Sequence, residues 1–190
     1  MKSNFRNTRA FLILSCCLVL AGFSSAMAKT NPSPNPNMPI LPYGSIMPLP
    51  HAGVQPQKNK IYKALFDVTS EINDPHQLDA GLEHVARAVN VFASAGVSTQ
   101  HMKFVVILHG PSTFAILNND EYKKKYGIDN PNIPLIQDLI KAGVHVDVCG
   151  QALADFKIEH SWVEKGVQID LSALATTVIY GDMGYAYMKM

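Results

Sequence analysis

Two hydrophobic periods alternate along the chain from residue 60 onward. Short apolar runs, rich in β-branched and aromatic residues, are separated by stretches in which apolar positions recur at helical spacing. The short runs predict strands at KIYKALFDVT, MKFVVILHG, VHVDV, VQIDL and GYAYMKM. The longer stretches predict helices at NDPHQLDAGLEHVARAVNVFASAG and NIPLIQDLIKAGV, and QALADF begins another.

The first predicted helix has one continuous apolar face, formed by Leu78, Leu82, Val85, Val89 and Phe92. Asp74 is its predicted N-cap, Pro75 suits its first position, and Gly96 suits its C-terminal end. Gly143 ends the second predicted helix in the same way.

Strands and helices therefore follow one another in the order of an α/β protein. The strand MKFVVILHG is apolar throughout, as expected when both faces of a parallel sheet are covered. The sequence predicts a three-layer α/β sandwich with a mostly parallel sheet.

The front of the chain has the three parts of a secretory signal peptide. Lys2, Arg6 and Arg9 form a basic start, an apolar run follows over residues 10–23, and Ala26-Met27-Ala28 is a small-residue cleavage pattern. The apolar run is shorter than the roughly 20 residues that span a bilayer. We therefore expect a cleaved bacterial export signal and a periplasmic or secreted protein.

Three segments are predicted: a signal peptide at residues 1–28, a proline-rich disordered linker at residues 29–58, and one α/β domain at residues 59–190. Proline fixes φ and removes a backbone donor, so the linker is not expected to form a packed element.

Charge and cysteine count narrow the function further. Cleavage after Ala28 removes three of the 16 basic residues and none of the 15 acidic ones, so the net charge becomes 13 − 15 = −2. This charge does not favour nucleic acid as a partner. Cys16 and Cys17 lie in the signal segment, which leaves Cys149 without an internal disulfide partner.

Cys149 is the candidate catalytic residue. In VHVDVCGQAL it ends a strand, and the following helix begins at once. Backbone N–H groups and the dipole at a helix N-terminus favour the thiolate, which is the reactive form. Gly150 lets the backbone turn and is expected to leave the sulfur uncovered. The alternative is that Cys149 is a small buried apolar residue.

Other polar residues lie at predicted strand ends and form a candidate ligand-binding rim. His109 and Gly110 end the second strand, and Asp67 ends the first, so both ends lie on the edge that carries Cys149 and Gly150. Loop hydrogen bonding is the alternative role for the histidine and the aspartate.

Two further polar residues belong to the third strand itself. His145 and Asp147 alternate with apolar residues there, and we expect them at the sheet margin or under an oligomer contact.

Common cofactor motifs are missing from the sequence. The seven histidines show no HxxxH spacing, and the chain contains no CxxC, GxGxxG, GxxxxGK[ST] or GxSxG. No metal or cofactor is predicted, and neither hydride nor phosphoryl transfer is supported.

Three segments resemble the DsrE/DsrF-like family: KFVVILHGPSTFAIL, AGVHVDVCGQAL and the closing YGDMGYAYMKM. The resemblance covers residues 60–189 and fits an exported single-domain member. It implies a flavodoxin-like fold and a homo-oligomer, a trimer or hexamer. Some cytoplasmic members relay sulfur as a persulfide, which makes Cys149 the implied sulfur acceptor. Apparent export and the acidic Asp155 depart from that pattern.

Three functions remain open at this point. The first is an exported sulfur carrier or sulfurtransferase-like protein that uses Cys149 and exchanges sulfur with a donor or acceptor protein or a small sulfur compound. The second is a non-catalytic oligomeric binding module. The third is a small-ligand pocket at the carboxyl ends of the strands.

Overall fold

The structure is a computed structural model that describes residues 43–190. The predicted signal peptide and the first part of the predicted linker lie outside the described residues. The strands are β1 (Tyr62–Val68), β2 (Met102–Leu108), β3 (His145–Cys149), β4 (Gln168–Asp170) and β5 (Ala186–Lys189). The helices are α1 (Ala80–Ser94), α2 (Asn119–Tyr126), α3 (Asn132–Lys141), α4 (Gly150–Asp155) and α5 (Ala173–Asp182). Short 3-10 helices cover Thr99–His101, Gly110–Ile116 and His160–Trp162.

All five strands run parallel in one sheet of order β4-β3-β2-β1-β5. The chain crosses the sheet one strand at a time from β1 to β4 and then returns to the far edge as β5. The predicted α/β architecture with a mostly parallel sheet is confirmed. A parallel sheet places every strand's carboxyl end on one edge, where sites usually form.

One face of the sheet carries the main hydrophobic core. Phe66 of β1, Phe104 of β2 and Val146 of β3 pack there against α1 and α3. The rings of Phe66 and Phe104 meet edge to face with centroids 5.3 Å apart. The predicted apolar face of the first helix is part of this core, since Leu82, Val85 and Val89 are buried and Leu78 and Phe92 pack at its border.

The other face has a much smaller core and is covered by α5. Leu65, Val105, Ile107 and Cys149 pack there with Ala173. The return from β4 to β5 crosses four inter-strand spacings, about 19 Å, and α5 spans about 15 Å. The helix therefore begins beside β3 and β4 and ends beside β1, where the Nζ of Lys63 donates to the carbonyl of Met183 at 2.9 Å.

The first helix begins later than the sequence predicts. Asp79 is the N-cap of α1, and its carboxylate accepts the N–H of Leu82 at 3.0 Å. Asp74 instead forms a turn, in which its side chain accepts the N–H of His76. Both aspartates precede the same apolar face, but only Asp79 directly precedes the first helical residue, Ala80.

The segment before β1 contacts the domain without forming a helix or strand between residues 43 and 60. The side chain of Asn90 donates to the carbonyls of Tyr43 and Gly44 at 2.8 and 3.0 Å. Gly44 has a φ of 57°, and a Cβ placed there would lie 2.2 Å from the N of Arg87. This glycine therefore lets the segment lie directly against the backbone of α1. The domain boundary at residue 59 stays a prediction.

Among residues 43–190, no helix combines the length and apolar character needed to cross a membrane.

Candidate functional site

Cys149 lies where the sequence predicts, at the end of β3 and the start of α4. It is the N-cap residue of α4, with an extended backbone, but its side chain makes no capping hydrogen bond to that helix. Its side chain points to the α5 face of the sheet, and the residue is only 6% exposed. The expectation of an uncovered sulfur is therefore wrong, because α5 closes over this corner.

The helix that contacts the sulfur is α5. The backbone N–H of Ala173, the first residue of that helix, points at the Sγ of Cys149 with an N···S distance of 3.2 Å. Ser172 caps α5 through a hydrogen bond to the N–H of Ala175. An N–H donor and the positive end of a ten-residue helix both favour negative charge on the sulfur. The sequence pattern predicted this effect from the helix that follows Cys149, whereas in the structure the helix N-terminus that contacts the sulfur is that of α5, which the pattern did not predict.

Gly150 has a packing role beside this corner. A Cβ at this position would lie 2.7 Å from the carbonyl oxygen of Asp170, so only glycine allows α4 to start this close to β4. Gly110 has a different role. It is the first residue of the 3-10 helix after β2, and its φ of 55° is a left-handed conformation that glycine adopts readily. Both glycines shape the backbone at the strand ends.

His109 and Asp67 form the second part of the rim. The Nε2 of His109 lies 2.6 Å from the Oδ1 of Asp67, and the hydroxyl of Tyr187 donates to the Oδ2 of the same carboxylate. This hydrogen bond raises the pKa of the Tyr187 phenol. Asp67 is only 9% exposed, so its two partners satisfy a carboxylate that water reaches poorly.

Strand register places this rim next to Cys149. The last β2–β3 pair is Leu108 with Val148, and one further step brings His109 level with Cys149 on the same face. His109 stays extended, and its N–H still bonds the carbonyl of Val68. Neighbouring strands are about 4.8 Å apart. The ring of His109, however, is held toward β1 by Asp67, and the sulfur is bonded by α5.

Two more acids lie under α5 near the sulfur. Asp170 of β4 pairs with Cys149 in the ladder, and its carboxylate accepts hydrogen bonds from Thr176 and Gln168 at 2.6 and 2.9 Å. Asp147 of β3 is 1% exposed. Asp147 is therefore not at the sheet margin, as the sequence had indicated, but inside the protein. His145 is exposed at the start of β3.

The titratable side chains between residues 43 and 190 do not form a metal centre, since no group of three or more His, Cys, Asp and Glu could hold an ion. The arrangement can instead present one sulfur nucleophile, held by the backbone N–H of Ala173, at the same edge of the sheet as an imidazole that Asp67 orients.

Comparison with known proteins identifies the family of this chain. The sequence model of the DsrE/DsrF-like family matches residues 63–190. The chain belongs to the DsrE/DsrF-like family. The match covers the sheet from the second residue of β1 to the end of β5 and includes every rim residue, so the resemblance carried by the HisGly, ValCysGly and GYAY motifs is confirmed.

The fold has a solved relative. The protein of unknown function MTH1491 from Methanobacterium thermoautotrophicum superimposes with a TM-score of 0.50 at 16% identity, over 68% of this chain and 99% of that one. At this identity the likeness shows the fold alone. No curated protein matches the sequence.

Three contributors to this DsrE/DsrF-like site were missed by sequence reasoning. Tyr187 lies in the strand that the resemblance identified, but only the β1–β5 pairing brings it to Asp67. Ala173 lies in a helix without an amphipathic pattern, and Asp170 lies in a three-residue strand. Nothing in their local sequence marks them as neighbours of Cys149.

Proposed function

We propose that this DsrE/DsrF-like protein handles sulfur and that Cys149 carries it as a persulfide. The observation that supports this best is the N–H of Ala173 directed at the Sγ of Cys149. That contact favours a thiolate at the carboxyl edge of the sheet, where the family resemblance also implies a sulfur acceptor.

The reaction needs no external oxidant. The thiolate electron pair of Cys149 attacks the terminal sulfur of a sulfane donor, such as a polysulfide. A new S–S bond forms at Cys149, and the S–S bond of the donor breaks. The electron pair of that bond leaves with the shortened donor, which takes a proton from water.

Burial restricts the donor. Only 6% of Cys149 is exposed, so a donor must be small, or the first turn of α5 must move to admit a larger one. A small inorganic or low-molecular-weight sulfur compound therefore requires less movement of α5 than a donor or acceptor protein does.

Polysulfide treatment tests the proposal. We expect an added mass of about 32 Da, one sulfur atom, which a reductant removes as for other persulfides. Because the full chain also contains Cys16 and Cys17, the adduct is located by tandem mass spectrometry on the peptide that contains Cys149.

Cys149→Ala is the matched control for the modification and should lose the adduct while keeping its melting transition. If Cys149 resists polysulfide and alkylating reagents, and its replacement changes only stability, the residue serves packing. The binding-module function would then replace the sulfur-carrier function.

We also propose that the protein acts as a homo-oligomer. Five large apolar side chains around α5, which we call the α5 patch, are more than half exposed: Leu171, Leu174, Val178, Ile179 and Met183. A helix that is apolar on all sides is normally buried, and a second copy of the chain would cover this one.

Export is the remaining part of the proposal. The basic start, apolar run and Ala-Met-Ala sequence favour removal of residues 1–28 and a periplasmic or secreted location. N-terminal sequencing of the protein recovered outside the cytoplasm tests this, and an intact Met1 in that fraction would contradict it.

A further inference from the structure

Asp147 is an unusual carboxylate. Neither of its oxygens has a hydrogen-bond partner among residues 43–190, although the residue is 1% exposed. The nearby acid Asp67, by contrast, has both oxygens bonded. A buried polar group without partners costs free energy, so its presence calls for a physical reason.

Asp147 lies on the same face of β3 as Cys149. Only Val148 separates them in sequence, and its side chain points to the opposite face. Two residues of strand place the carboxyl group and the sulfur about 6–7 Å apart along the strand. Both groups are buried beneath α5, where charges interact more strongly than in water.

Among residues 43–190, no basic side chain contributes to the pKa shift of Asp147. The neighbouring position on β2 is Ile107, β4 contributes Asp170, and α5 contributes the phenol of Tyr180. On β3 itself, His145 is exposed at the start of the strand. Burial, followed by the charge of Asp170, raises the pKa of Asp147 to about 7.

We propose that Asp147 and Cys149 share one negative charge, so that Asp147 sets how the supply of reactive thiolate depends on pH. This inference rests on the proposed function, because it concerns the same sulfur. When Asp147 is ionised, a second negative charge on the neighbouring sulfur is opposed. The thiolate then forms mainly in molecules in which Asp147 keeps its proton, and it is held there by the N–H of Ala173.

The consequence is a plateau in reactivity. Below about pH 7, Asp147 keeps its proton and does not oppose a charge on the sulfur. Above that value, added base removes the proton of Asp147 in place of the proton of Cys149, so the thiolate fraction changes little until the solution becomes strongly basic. Sulfur loading would then proceed at a nearly constant rate across neutral and mildly alkaline pH.

The test is the alkylation rate of Cys149 against pH in the full chain, followed on the Cys149 peptide with iodoacetamide. In the unaltered protein we expect two rises separated by a plateau. In Asp147→Asn we expect one rise, with a rate at pH 8.5 that is at least about threefold higher and a rate at pH 6 that is nearly unchanged.

Asp155→Asn is the matched control, because it removes the same charge from an exposed position on α4. It should leave the two-step profile in place. A change in access to the sulfur would multiply the rate by one factor at every pH, so the shape of the profile separates electrostatic coupling from altered packing.

Parallel profiles in the unaltered protein and Asp147→Asn would overturn the inference, as would a Cys149 that fails to react at any pH in both. Failure of the proposed function looks different. In that case polysulfide adds no sulfur to Cys149, while the two alkylation profiles still differ in shape.

Discussion

At the scale of single residues, the acids near Cys149 differ in the groups that stabilise their charge. Asp67 has His109 and Tyr187, and Asp170 has Thr176 and Gln168. Among residues 43–190, Asp147 has no hydrogen-bond partner for either carboxylate oxygen and has a second acid, Asp170, nearby. Its ionisation therefore affects the stability of the whole fold as well as the sulfur beside it.

We predict that Asp147 makes the protein less stable as the pH rises from about 4 to about 7. The unfolded chain releases this proton near the ordinary value of 3.8, whereas the folded protein keeps it until about 7, so the unfolded state gains over that window. The full shift corresponds to a loss on the order of 4 kcal/mol, which persists at higher pH.

Urea denaturation at several pH values measures this effect. Asp147→Asn should match the unaltered protein near pH 4 and become the more stable of the two by pH 7. The comparison cancels Asp79, whose pKa is also raised by burial. A stability difference that stays constant across this pH range would contradict the prediction.

At the scale of elements, α5 covers one face of the sheet, and the segment before β1 lies against α1. The helix α5 buries only Ala173 and Thr176, because it crosses a sheet face whose own core is small. The segment at residues 43–44 is held against α1 by Asn90. Neither element has an apolar period of its own.

We predict that Gly44→Ala destabilises the domain by about 1–3 kcal/mol. The change forces an alanine into a left-handed conformation, and its Cβ would lie 2.2 Å from the backbone N of Arg87. Gly53→Ala is the matched control, since a Cβ there has no atom within 4 Å. Thermal melts of the two variants should differ clearly. Equal melting temperatures would mean that residues 43–44 do not hold to α1 in solution.

At the scale of the whole molecule, one group of exposed apolar side chains surrounds α5, and a separate group lies in the segment before β1 and on α1. The α5 patch continues onto β5 through Tyr187, which is 51% exposed and on the same face of the sheet, whereas Met188 points to the opposite face. Contiguous apolar surface of this kind marks an interaction site in a soluble protein.

We predict that the protein assembles through the α5 patch into a trimer or hexamer. Leu174 and Val178 lie one turn apart and are 83% and 64% exposed, so Leu174→Glu with Val178→Glu should yield monomers in light scattering. Val91→Glu, at an exposed apolar position on α1, is the control and should leave the assembly intact. A monomeric unaltered protein at micromolar concentration would rule out this assembly.

Much of this protein follows from the sequence alone. Helical and strand periods determined β1, β2, β3, α1 and α3, because each buries a face that a local pattern records. The strands β4 and β5 bury no face, and their β-branched and aromatic residues alone predicted them. The pattern also determined that Asp67, His109 and Cys149 end parallel strands and so share one edge of the sheet.

Only the tertiary structure decided the rest. The helix α2 is too polar and α5 too uniformly apolar to show a period. The return of the chain to β5 brings Tyr187 to Asp67, and it carries the N-terminus of α5 onto Cys149. The burial of Asp147 depends on the same crossing helix. These contacts join residues far apart in sequence, and strand order, which no local pattern encodes, determines which of them meet.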